Sequence, residues 1–260
     1  MSQSLKNFFF VFIALLVLLG CKNDDTSEVV EDPTAQNKKA LGTSAEDILS
    51  DDSYGALTVE LVYTESSRPS QESINGFRNF ITSRVHKPNG IFFIENQVPD
   101  QSGAPFTLDN IRSFEEEFRT QYTEGNTIAV YLFFSNGSSS NDTQTNVTLG
   151  TAYRNTSIVV YQNTLKIVTN SDPISLPILE QTVMEHEFGH ILGLVNIQND
   201  DTHTAHEDPS ASKHCIVEDC LMYFEATNFA REEITRFLSR GAVPQLDPLC
   251  IEDLQAKGGK

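Results

Sequence analysis

His186-Glu187-Phe188-Gly189-His190 constrains this chain more than any other stretch. It lies inside the apolar run Leu176–Val195, which is long enough to read as a helix. On a helix, residues four apart differ by only about 40° around the axis, so His186 and His190 reach one point. Glu187 lies beside them. Two neutral imidazoles one turn apart with an adjacent carboxylate suit a hydrolytic zinc site, where nitrogens hold the metal and a base stands by the water. The same pattern also occurs on helices that merely bury two histidines, so the flanking residues decide.

The run continues Ile191-Leu192-Gly193-Leu194-Val195-Asn196. A glycine at 193 can end the helix in a left-handed conformation and turn the chain back towards a metal. The resulting H-E-x-x-H-x-x-G resembles the metzincin clan of zinc metalloproteases, whose pattern ends in a third histidine and is followed by a methionine turn. Asn196 stands where that histidine is expected, and an amide is a poor zinc ligand. Further on, His214-Cys215-Ile216-Val217-Glu218-Asp219-Cys220-Leu221-Met222 is similar to the segment that closes the site in archaemetzincins. The chain also resembles Bacteroidetes-type lipoprotein metalloproteases over most of its mature length.

These resemblances imply that His186, His190 and His214 hold one catalytic Zn2+, with Glu187 as general base. They imply that Met222 forms the methionine turn below the metal and that Ile197–Lys213 is an insertion. His206 stays open as a competing third ligand. In some metzincins a tyrosine two residues after the methionine touches the metal. That position is Phe224 here, so no such role is carried to its neighbour Tyr223.

Residues 1–20 read as a signal peptide, with Lys6 ahead of the apolar core Phe8–Leu19. That core is short for a membrane span. Leu18-Leu19-Gly20-Cys21 resembles the bacterial lipobox, which implies a lipidated Cys21. The acidic run after it is similar to a surface-export signal, which places the chain in the cell envelope, anchored to the outer membrane and facing outwards. Residues 21–54 are polar and acidic and read as a flexible tether, leaving 55–260 as a single domain.

A net charge of −18 argues against nucleic acid and against direct binding to an anionic bilayer. Membrane contact is expected only through the lipid, the partner is a peptide or protein substrate, and the chain reads as a monomer. With Cys21 lipidated, Cys215, Cys220 and Cys250 remain. An oxidising setting favours a Cys215–Cys220 disulfide beside His214, with Cys250 left odd. Archaemetzincins use four cysteines there for a structural zinc, a set that this chain lacks.

Strands are expected at Ala56–Tyr63, Ile91–Ile94, Thr127–Phe134, Leu149–Tyr153 and Ser157–Tyr161. Helices are expected at Gln71–Val85, at Leu108–Phe118 with Thr107 as cap, in the histidine segment with Pro177 in its first turn, and at Ala230–Leu238. Ser135–Asn146, full of Gly, Ser and Asn, reads as a loop. The resemblance implies an α+β fold: a twisted mixed sheet of about five strands, with Leu149–Tyr153 as the edge strand for substrate. It also implies a zinc-binding active-site helix and a small C-terminal subdomain.

The reading is a zinc-dependent endopeptidase. Two other classes stay open: an inactive surface lipoprotein that binds peptide or a partner, which Asn196 favours, and an adhesin with a structural zinc. An open fourth metal position would favour catalysis, and a closed one structure.

Overall fold

The computed structural model describes residues 32–223, 228–230 and 241–260. Cys21 and the signal segment lie outside the described residues, as does the expected helix Ala230–Leu238 beyond its first residue. The chain opens with a 3-10 turn (Ala35–Asn37) and a short helix α1 (Ala45–Leu49). Then come β1 (Ala56–Thr64), α2 (Gln71–Arg84), β2 (Ile91–Val98), α3 (Leu108–Phe118) and β3 (Thr127–Phe134). β4 (Asn146–Thr148), β5 (Gly150–Arg154), β6 (Ser157–Val160), α4 (Gln162–Val168) and α5 (Ser175–Ile191) follow. β7 (Asn228–Ala230) and α6 (Pro248–Ala256) complete the described elements.

The main sheet has the order β2-β1-β3-β6-β5. Its first four strands run parallel, and β5 returns antiparallel to β6 at one edge. The architecture is therefore mixed α/β rather than the expected α+β, because α2 and α3 cross between parallel strands. A second, two-stranded sheet pairs β4 with β7. Among the described residues no helix is long and apolar enough to cross a membrane.

Strand alternation builds a core on each face. Leu57, Val59 and Leu61 of β1 and Ile128, Val130 and Leu132 of β3 belong to one core, which α2 and α5 cover with Phe77, Ile81, Val183 and Phe188. Val62, Tyr131 and Phe133 belong to the other, where α3 brings Ile111, Phe114 and Phe118. Phe77 of α2 meets Phe188 of α5 edge to face, with centroids 5.4 Å apart. Burying each such ring contributes about 1.5–3 kcal/mol. A polar tie adds direction. Glu180 of α5 accepts from Ser70 N (2.9 Å), Ser70 Oγ (2.6 Å) and Ser73 Oγ (2.8 Å) at the start of α2. A carboxylate at a helix N-terminus is favourable, so the register of α5 against α2 is fixed.

The expected tether is too long. Residues 32–54 are folded onto the domain, and Ile48 and Leu49 are fully buried in the first core. Asn37 is also fully buried. Its Nδ2 lies 2.9 Å from Ala129 O and 3.0 Å from both Thr156 Oγ1 and Thr123 Oγ1, while its Oδ1 accepts from Thr123 N at 2.8 Å. A composition reading misses this because one satisfied amide and two aliphatic groups do the anchoring in an otherwise polar stretch. Asn37→Ala should therefore cost about 2–3 kcal/mol, the penalty of leaving buried partners unpaired, read from the urea midpoint. An unchanged midpoint would restore the tether reading.

Candidate metal centre

Helix α5 starts where Asp172 Oδ1 accepts from Ser175 N (2.7 Å) and Ile174 N (3.1 Å). Every residue from Thr182 to Ile191 is buried. It ends in a Schellman motif: Leu194 N donates to Gly189 O and Gly193 N to His190 O, both at 3.1 Å, with Gly193 at φ +73°. The sequence-expected helix stop is thus built by that glycine. Val195 and Asn196 are also left-handed, at φ +57° and +61°, so the chain reverses sharply.

Asn196 does not join the histidines. Its Oδ1 accepts from Asp201 N at 3.3 Å, and its own N–H donates to Asp201 Oδ2. Its carbonyl accepts from Lys213 Nζ. The insertion therefore leaves and returns at one place, and the next residue is His214. The rings of His186, His190 and His214 lie 4.8–5.3 Å apart, centroid to centroid. One nitrogen of each lies within 4.8 Å of the others.

His186 Nδ1 donates to Leu221 O at 2.7 Å, which leaves Nε2 as the lone-pair nitrogen. That Nε2 and Nδ1 of His190 are buried without a hydrogen-bond partner. Burial, then His214, holds His186 down at about 3, and burial also holds His190 well below the usual imidazole range. Burial lowers His214 as well, against the carbonyls of Ser212 and Ala211 that raise it. All three are neutral at pH 7, the form that binds a metal. Orphaned buried nitrogens and three converging neutral imidazoles fit a divalent cation of zinc's type.

Glu187 is buried, and its Oε2 accepts from Ala152 N of β5 at 2.7 Å. Burial raises its carboxyl to about 8, with the Ala152 bond opposing. β5 approaches α5 closely because of Gly150, a residue that sequence reasoning missed. A Cβ there would lie 2.7 Å from Val183 Cγ1 and 2.9 Å from Glu187 Cγ. Likewise a Cβ on Gly189 would lie 2.4 Å from Met222 Sδ, so Met222 packs directly against the helix between the two histidines. A cleft of about 780 Å³ opens in front of Glu187, His190 and His214.

The expected Cys215–Cys220 disulfide is not formed: Cys215, Cys220 and Cys250 are buried free thiols. The reason is a second cluster. His206, the competing ligand, sits in it and not with His186 and His190. Its Nδ1 lies 3.6 Å from the sulfurs of both Cys215 and Cys250, and its Nε2 lies 3.1 Å from Asp253 Oδ2. Cys220 Sγ is 3.7 Å from Cys250 Sγ, and Asp247 Oδ2 is 3.2 Å from Cys215 Sγ. Backbone N–H groups of Val217, Met222 and Asp247 point at the sulfurs of Cys215 or Cys220 from 3.3–3.4 Å. Hydrogen bonds from the neighbouring thiols hold Cys215 well below the usual thiol range, and the same contacts push Cys220 and Cys250 up. The odd Cys250 was the sequence signal for this cluster.

No family model matches the sequence, and none of the curated proteins does. Among solved structures the chain is similar to an archaemetzincin from Methanopyrus kandleri, at 16% identity and a TM-score of 0.50, over 78% of this chain and 96% of that one. A zinc-dependent peptidase from Methanocorpusculum labreanum aligns at 15% identity and a TM-score of 0.44, over 75% and 99%. The archaemetzincin likeness is one of fold.

The geometry makes a sharp prediction. His214→Ala, like His186→Ala, should lose metal from the three-histidine site, whereas Asn196→Ala should retain it, as equilibrium dialysis against zinc would read. Retention in His214→Ala would remove His214 from the ligand set.

Proposed function

We propose that this chain is a zinc-dependent endopeptidase. The observation that carries the reading is the convergence of three neutral imidazoles beside a buried carboxylate at the floor of an open cleft. His186, His190 and His214 would hold the metal, and the cleft leaves room for a fourth, exchangeable partner, the arrangement of catalytic rather than structural zinc. Zinc supplies Lewis acidity, which eases deprotonation of a water and polarises a carbonyl.

The remaining work falls to the chain. The Glu187 carboxylate would take a proton from the attacking water and return it to the leaving amine nitrogen. Its buried setting raises its proton affinity, which suits a group that must first accept and then donate. Leu221 O fixes the His186 tautomer, so Nε2 faces the centre. Met222 packs under the site as the methionine turn. β5 has no neighbour on its outer side among the described residues, and an extended peptide would add there as a further strand.

His206, Cys215, Asp247 and Cys250 bring their ligand atoms within 4.8 Å of one another, with Cys220 Sγ 3.7 Å from Cys250 Sγ, and this closed set would hold a second, structural zinc. Export, lipidation at Cys21 and an outer-membrane location belong to the same reading and rest on the sequence of residues 1–25.

Glu187→Gln should keep its metal and lose roughly 10²–10⁴-fold in peptide hydrolysis. Chelation should abolish cleavage, and zinc should restore it. A fully metal-loaded wild type that binds peptides without cutting them would instead make the protein a surface binder. Metal analysis should find two zinc ions per chain, with Cys250→Ala losing one and keeping the other. A single zinc retained in Cys250→Ala and absent from His190→Ala would remove the structural site.

A further inference from the structure

The cleft differs in charge from the rest of the molecule. The chain has 36 acidic against 18 basic residues, yet among the described residues Glu187 is the only carboxylate lining the cleft, and it is turned to Ala152 N–H. One wall presents neutral hydroxyl and amide groups, among them Thr143, Thr145 and Asn146. Leu41 and Ile197 add apolar surface to the lining. Among the described residues Lys213 is the single Lys or Arg on this lining.

Lys213 is held but not neutralised. Its Nζ donates to Asn196 O and lies 3.4 Å from Asn199 Oδ1, both uncharged oxygens. Among the described residues no carboxylate is in ion-pair range of it. Lys257, by contrast, pairs with Asp200 and Asp201 at 2.7 and 3.0 Å. An ammonium has three donors, so one remains for a ligand. The backbone of Lys213 is left-handed, at φ +69°, a conformation that costs roughly 1–2 kcal/mol for a residue with a Cβ. The side chain is half-buried immediately before His214. A charge fixed beside the reacting centre by neutral groups keeps its full attraction for an anion, and a charge-assisted hydrogen bond is the strongest contact it can make.

We propose that Lys213 makes this cleft select substrates that place a carboxylate in it, on an Asp or Glu side chain or at a peptide C-terminus. The inference rests on the peptidase reading for its substrate class. Its alternative is that Lys213 serves only to close the 197–213 excursion onto Asn196.

The test uses the full-length, zinc-loaded Glu187→Gln protein, so that binding is read without turnover. Fluorescein-labelled Ala/Gly heptapeptides carry Glu or Gln at each position in turn, each made with a free or an amidated C-terminus. Fluorescence anisotropy should show a preference of about tenfold or more for the carboxylate member of at least one pair. Preference for Glu regardless of the terminus assigns a side-chain carboxylate, and preference for the free acid alone assigns a C-terminus. Adding Lys213→Gln should collapse the ratio to near one, Lys213→Arg should keep it, and Lys213→Glu should invert it towards the uncharged member of the pair. Zinc content is measured on each variant, so that a displaced His214 is not read as lost selectivity. Equal binding within every pair, or a ratio that survives Lys213→Gln, would overturn the proposal. Wild-type cleavage without carboxylate preference sinks this inference alone. Carboxylate-selective binding without wild-type cleavage leaves it standing and sinks the peptidase reading.

Discussion

Two buried imidazole nitrogens without partners set the terms for the rest of this molecule. An unpaired buried polar atom costs about 1–3 kcal/mol, and natural folds rarely keep one without a use. Here His186 Nε2 and His190 Nδ1 belong to a helix buried along its last ten residues. Burial is what keeps the rings neutral, and neutral rings are what a cation requires. The same desolvation that would destabilise an empty core position therefore prepares a ligand set. The Leu221 O bond adds orientation to protonation state.

The surrounding carboxylates follow a contrasting rule. Glu60, at the centre of the sheet, accepts from Thr120 N (3.0 Å), Gln121 N (3.1 Å), Thr120 Oγ1 (2.7 Å) and Asn96 Nδ2 (2.6 Å). Glu115 is paired with Arg119 at 2.7 Å and Arg154 at 3.1 Å. Glu180 caps α2 through three donors. Each is a buried charge whose lone pairs are used, and each holds elements together. Glu187 and Glu185 depart from this rule: each is buried and accepts one hydrogen bond, from Ala152 N at 2.7 Å and from Gln181 Nε2 at 2.7 Å, and burial raises both carboxyls to about 8. Of these two, Glu187 is the one that lines the cleft beside His190 and His214.

Parts of this were open to reading from sequence, for identifiable reasons. α3 and β3 have the bounds that periodicity set, Leu108–Phe118 and Thr127–Phe134. The first has one apolar face and a capping Thr107, and the second is an uninterrupted apolar run. The placement of His214 followed from its resemblance to a known closing segment. α4 escaped because its pattern is inverted: Gln162 and Thr164 are buried while Ile167 is 61% exposed. The ordered segment from residue 32 escaped because its anchor is a hydrogen-bonded amide, which hydropathy counts as polar. The Cys215–Cys220 bridge was a local inference from spacing. The true partners, His206 and Cys250, come from distant segments that only the fold brings together.

The two clusters are mechanically one unit. Cys215 follows His214 directly, and Cys220 is separated from Met222 only by Leu221, whose carbonyl holds His186. Cys215 N donates to Met222 O at 2.8 Å, which closes this nine-residue segment on itself. His206 and Cys250 then pin it to the preceding excursion and to α6. The third converging imidazole, the residue under the helix and the acceptor that sets a tautomer thus share one short piece of backbone. The chain turns away from the helix at Asn196 and comes back eighteen residues later at His214, so that backbone is not positioned by the helix itself. The thiol cluster supplies the missing constraint. It is closed and buried where the histidine cluster opens onto a cleft, so one set of donors fixes the geometry of a backbone whose other side chains face open space.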